Sequence, residues 1–117
     1  MSFLPAISKR SAVAIRATIR SWRMASTRNN QRLEDLAELC NPSVRGWMNY
    51  YGRYYRSKCV TVLRYLNECL CRWVQRKYKD RYRCKERAAM HCLGRIARRD
   101  PRLMVLWQLG VKPEARS

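Results

Sequence analysis

Apolar residues recur at helical spacing along most of the chain, and the two-residue alternation of strands is weak throughout. Ala12, Ile15, Ile19 and Trp22 fall on one face of a helix predicted from about Lys9 to Trp22, with Ser8 as its N-cap after a turn at Pro5. Lys9, Arg16, Arg20 and Arg23 share an adjoining face. The polar run STRNNQ interrupts the pattern. A short second helix follows from Leu33 to Leu39, and it holds Glu34, Asp35 and Glu38, whose charge suits a helix start. Asn41-Pro42 is expected to end that helix and open the next, because proline is comfortable in a first turn.

A third helix is predicted over Val44 to Tyr55, and a long fourth from about Cys59 to Lys79. The apolar arc of the fourth is Cys59, Val62, Leu63, Leu66, Cys69, Leu70, Trp73 and Val74, opposite Arg64, Glu68, Arg72, Gln75 and Lys79. A fifth helix, about Glu86 to Arg99, turns Ala89, Leu93, Ile96 and Ala97 inward. Asp100-Pro101 stops it, and LMVLWQLG adds a last helical turn or two. The fold class expected is all-α, a single-domain bundle of about five helices over residues 1–117. Its core is expected over about 8–110, with 1–7 and 111–117 as flexible ends.

The densest stretch is Arg45 to Lys58, RGWMNYYGRYYRSK. On a helix, Trp47 and Tyr51 lie on a broad apolar arc with Val44, Met48, Tyr54 and Tyr55, while Arg45, Asn49, Gly52 and Arg53 lie opposite, with Gly46 close by. Trp47 and Tyr51 read as core, and Trp47→Ala would then remove about 3–5 kcal/mol. Each glycine in a helix costs about 1 kcal/mol against alanine, which implies close approach of another helix or a nucleic-acid backbone. Tyr50 and the tail RYYRSK, where basic and aromatic groups alternate, read as a surface for phosphates and unpaired bases.

Charge sharpens that reading. There are 26 Lys plus Arg against 8 acids, a formal net charge of +18, and self-repulsion on that scale destabilises a compact state unless a polyanion or another part of a larger protein offsets it. Nucleic acid is the first candidate and an anionic membrane surface the second. Most of the cations are arginine, whose planar fork pairs with phosphate and stacks on bases, which favours nucleic acid. No apolar run approaches the ~20 residues of a membrane span. MSFLPAISKR has too short an apolar run for a signal peptide, so a cytoplasmic location is expected.

The six cysteines, at 40, 59, 69, 71, 84 and 92, read as free small hydrophobes in a chain with no sign of secretion. No Cys-x-x-Cys occurs; Cys69 and Cys71 point to nearly opposite helix faces, and Cys84, His91 and Cys92 lack a fourth ligand at zinc spacing. No metal site is expected. His91 shares a face with Arg87, Arg95 and Arg98 and has no partnered nucleophile or carboxylate, so no catalytic residue is expected either.

FLPAIS, AIRATIRSWR, LEDLAELCNPSVRGWMNYYGRYYRS, RWVQRKYK and RIARRDPRLMVLWQLG resemble, in order and spacing, the C-terminal part of bacterial group II intron-encoded reverse transcriptase/maturases. The resemblance covers about residues 3 to 110, and NP-x-x-RGW-x-NYYGR-x-Y is its specific core. It implies a thumb and maturase-specific region, called domain X. Such a region grips structured intron RNA and favours the RNA's active fold, while the RNA performs the transesterifications with its own Mg²⁺. No cofactor of the protein is implied. No Tyr-Ala-Asp-Asp-type motif is present, so the chain looks like a detached C-terminal segment. The RNA-binding set expected is Lys9, Arg16, Arg20, Arg23, Arg45, Asn49, Tyr50, Arg53, Arg56, Lys58, Arg72, Arg76, Lys77 and Lys79. Arg87, Arg95, Arg98 and Arg99 would form a secondary surface. The rival readings are a split reverse transcriptase, active only beside an upstream polymerase segment, and a basic protein that binds nucleic acid without selectivity.

Overall fold

The apolar stripes converge on a single long element. In the computed structural model, which describes residues 9–113 (the side chains of Lys9 and of 52–56 excepted), all the regular elements are helices. They are α1 Lys9–Ser21, α2 Met24–Thr27, α3 Leu33–Lys77, α4 Lys79–Tyr82, α5 Glu86–Arg99 and α6 Val105–Gln108. Each of the other five packs on α3.

α3 is 45 residues long, yet it cannot be a straight rod. The Cys59 thiol lies 3.3 Å from the Met48 sulfur. Eleven residues of straight helix would hold their Cα atoms about 16 Å apart, beyond the reach of those two side chains. The asparagines at 41 and 67 make the same point. They would stand about 39 Å apart on a straight helix, but both bond the short segment 103–111. The helical span therefore doubles back between Met48 and Cys59, giving two antiparallel arms, residues 33–51 and 57–77. The third and fourth predicted helices correspond to these arms.

The predicted stop at Asn41-Pro42 is not there: helix continues through both residues. Proline inside a helix loses a hydrogen bond and crowds the carbonyl four residues back, about 3 kcal/mol in all. That loss is offset by burial on both sides of it, through Leu36, Ala37, Cys40 and Val44. Asn41 adds two bonds outward, donating from Nδ2 to the Leu103 carbonyl at 3.2 Å and accepting from the Val105 N–H at 2.9 Å.

The core sits between the arms and the elements laid across them. Ile15 and Ile19 enter it from α1; Cys59, Val62, Leu63, Leu66, Leu70, Cys71, Trp73 and Val74 from the second arm; and Ala89, Met90, Leu93 and Ala97 from α5. Of the predicted faces, Cys69 and Ile96 are only half-buried, as are Ala12 and Trp22. The expectation of a loose end from residue 111 is corrected by Val111, which is buried in this core. Asn67, the one buried polar side chain among the described residues, holds it there: its Nδ2 donates to the Val111 carbonyl at 3.1 Å. Its Oδ1 accepts from the Trp107 indole N–H, also at 3.1 Å. Pro5 and Ser8, and residues 1–7 and 114–117 generally, lie outside the described residues.

The turn from α1 to α2 departs from its prediction as well. α1 stops at Ser21, and Arg23 takes a left-handed φ of 50°. The Arg23 carbonyl then accepts from the Thr27 N–H at 2.9 Å and from the Thr27 hydroxyl at 2.8 Å. Arg23 is exposed, but it does not continue the helical face of Arg16 and Arg20.

Candidate nucleic-acid interface

Amphipathic helices packed on a common spine must turn their charged faces outward. On α1, Arg20 is exposed and Arg16 half-buried. The first arm exposes Arg45, Asn49 and Tyr50 at successive outward positions, opposite buried Leu36, Cys40 and Val44. The second arm exposes Lys58, Arg64, Arg72 and Arg76, and α4 exposes Lys79 and Arg81. Arg87, His91, Arg95, Arg98 and Arg99 are exposed along α5. The side chains of Lys9, Arg53 and Arg56 lie outside the described residues.

Two of these cations, from different elements, influence one half-buried thiol. Burial pushes the Cys69 thiol upward and the Glu68 carboxylate adds to the rise, while a hydrogen bond with Tyr65 and the charges of Arg72 and Arg20 draw it back down. The charges of Arg20 on α1 and Arg72 on the second arm thus act on the same half-buried thiol, and the Glu68 carboxylate opposes them there.

Lys77 behaves differently from the rest of the predicted set. Half-buried, its ammonium donates to the carbonyls of Asn29 at 3.0 Å and Gln31 at 2.7 Å. It also stands 5.2 Å from the Trp73 ring centroid. Two of its three donors tie the end of the second arm to the loop before α3, and Trp73 reinforces the tie by donating to the Arg28 carbonyl at 2.9 Å. Lys77 holds the hairpin closed.

The aromatic residues divide by element. Trp47 is half-buried and stacks on Trp22, with centroids 6.1 Å apart and planes at 28°. Tyr51 is half-buried and meets Tyr50 edge-on, at 4.7 Å and 83°. Tyr50 itself is 63% exposed. Sequence reasoning passed over Tyr78, which is 48% exposed. It lines a surface pocket of about 400 Å³ with Lys77, Lys79, Asp80 and Arg81. The signal was present: RKYKDRYR interleaves bases and rings as RYYRSK does.

The remaining titratable chemistry is internal. Burial raises the Cys40 thiol from 9.0 to about 12, with Cys69 adding to the rise and Arg28 opposing it. Cys71 rises to about 11, again chiefly through burial, with Glu86 adding to it. Protonated thiols in a core are neither ready nucleophiles nor metal ligands. Among the described residues, no group of three His, Cys, Asp or Glu side chains is placed to hold a metal ion. No helix among them is long and apolar enough to cross a membrane. What the surface can offer is binding: guanidinium and ammonium groups for phosphate, with Tyr50 and Tyr78 as platforms for bases.

A family profile described as "Group II intron, maturase-specific domain" matches residues 12–92, well over half of the chain. The match takes in most of α1, both arms of α3, α4 and the start of α5. No curated protein and no solved structure is significantly similar to the chain.

Proposed function

Because the chain belongs to the group II intron maturase-specific domain family, we propose that it grips structured group II intron RNA and assists its splicing by holding the RNA's active fold. The family membership carries this reading, and the exposed basic and aromatic groups inside the matched region give it a physical means. The protein contributes contacts, and the transesterifications belong to the RNA. The proposed grip uses Arg16, Arg20, Arg23, Arg45, Lys58, Arg72, Arg76 and Lys79 for phosphates, with Asn49 and Tyr50 for riboses and unpaired bases. Arg53, Arg56 and Lys9 belong to the proposed set through their sequence positions, and Lys77 supports it from within. The cytoplasm, where transcribed intron RNA is available in a cell without a nucleus, is the proposed location.

Two measurements test the proposal. Binding to an in vitro transcribed group II intron should fall with a log–log salt slope of about −0.7 to −0.9 for each phosphate neutralised. Roughly six contacts would then lose two to three orders of magnitude of affinity between about 50 and 200 mM salt. Spliced exons should also accumulate faster with the chain than without it at limiting Mg²⁺. Equal retention of intron RNA, unrelated duplex DNA and anionic vesicles at fixed salt would refute RNA selectivity.

A further inference from the structure

Gly46 stands on the outward face of the first arm, and nothing among the described residues accounts for it. A Cβ placed there would meet no atom of the described residues within 4 Å. Its φ is not positive, so backbone conformation does not demand glycine either. The position is helical and exposed, where alanine is the more stable residue. Gly94 gives the contrast. A Cβ there would lie 3.1 Å from the Pro113 carbonyl oxygen, so its glycine is explained by packing inside the chain.

What surrounds Gly46 is polar and ready to bind. Arg45 is its neighbour, and Pro42, Asn49 and Tyr50 lie one turn away on the same face, all of them exposed. The Tyr50 ring is braced at a right angle by Tyr51, which itself packs partly on the core. An exposed ring held from behind loses little freedom when a flat ligand stacks on it.

We propose that Gly46 is the point of closest approach for an RNA strand: the bare helix backbone touches a ribose there, while Arg45 pairs with phosphate and Tyr50 stacks on an unpaired base. Asn49, able both to donate and to accept, faces the ribose hydroxyl or a base edge. This deepens the intron-RNA reading and rests on it. Charge decides for RNA over a protein helix. The chain carries +18, and the glycine is flanked by Arg, Asn and Tyr, whereas a helix docked on a small residue needs apolar flanks to exclude water.

The test is Gly46→Ala in the full chain, read by thermal melting and by binding to two probes: an in vitro transcribed group II intron and a fully paired RNA duplex. Alanine should raise Tm by roughly 3–6 °C through helix propensity alone. It should also weaken intron binding by about five- to 150-fold, the range of one stacked base, and leave duplex binding little changed. Tyr50→Ala should weaken intron binding similarly, and the double variant should be little weaker than either single one, because both act on the seating of the same nucleotide. Three results would overturn the inference: unchanged intron affinity in Gly46→Ala, a lowered Tm, or an equal loss on the duplex. Loss of self-association with RNA affinity intact would assign the seat to protein, and would also overturn it. A wild-type chain that fails to bind the intron refutes the functional reading itself, whereas wild-type binding with an indifferent Gly46→Ala refutes only the seat.

Discussion

Replacing Asn67 with alanine tests how the fold is closed. The side chain is 4% exposed and bridges the second arm to the C-terminal segment through two bonds of 3.1 Å. Alanine leaves the Trp107 indole N–H and the Val111 carbonyl unpaired in the core, where each such group costs about 1–3 kcal/mol. The expected loss is thus about 2–6 kcal/mol, a large share of the ~5–15 kcal/mol that stabilises a typical domain. At about 3–6 °C per kcal/mol for a chain of this size, Tm should fall by at least about 6 °C. Melts followed by circular dichroism give the shift, and urea titration gives the free energy at constant m. A cycle with Trp107→Phe and the double variant isolates the pair, for which a coupling of at least ~0.5 kcal/mol is expected. A loss below about 1 kcal/mol, or additive single effects, would show that the C-terminal segment is held by burial alone.

Trp47→Ala should cost about 1–3 kcal/mol, less than the full penalty for a buried tryptophan, because Trp47 is half-buried against Trp22; complete unfolding in melts would contradict the stacked, partly open geometry. Arg53, Arg56 and Lys58 changed together to Ala should keep helicity and reduce the salt slope of intron binding by about 2, and an unchanged slope removes them from the interface. Stability should fall above pH 9, because the unfolded chain releases the Cys40 and Cys71 protons there, while burial holds the folded thiols protonated up to about 12 and about 11. The stabilisation is complete below pH 9 and declines by up to about 1.4 kcal/mol per pH unit for each thiol; a Cys40→Ala/Cys71→Ala variant with the same pH profile as wild type would refute it.

Hydrophobic periodicity carried much of the fold. Cys59, Val62, Leu63, Leu66, Leu70, Trp73 and Val74 repeat at helical spacing, and all are buried. The same periodicity is silent on Asn67, which sits on that face, because its justification is an indole 40 residues and a carbonyl 44 residues further on. Pro42 was misread for a related reason. Local rules weigh the lost hydrogen bond but not the tertiary burial on either side of it. Residues 111–113 look like a tail because they are short and irregular, but the burial of Val111 and the bond it receives from Asn67 make them part of the core.

The cationic face shows where sequence reasoning runs out in physical terms. A helical wheel sends every lysine and arginine outward, and for Arg45, Arg72 and Arg76 the structure agrees. Lys77 breaks the rule because its ammonium stands over the Trp73 ring and bonds the loop carbonyls of Asn29 and Gln31, groups that no wheel of the second arm contains. Conversely, Arg20 and Arg72 are unrelated in sequence, yet the charges of both act on Cys69 because α1 packs on α3. A period assigns each residue an inside or an outside. Which cations share one field is decided by the doubling-back between Met48 and Cys59 and by what packs across it, and that field is what an RNA would meet.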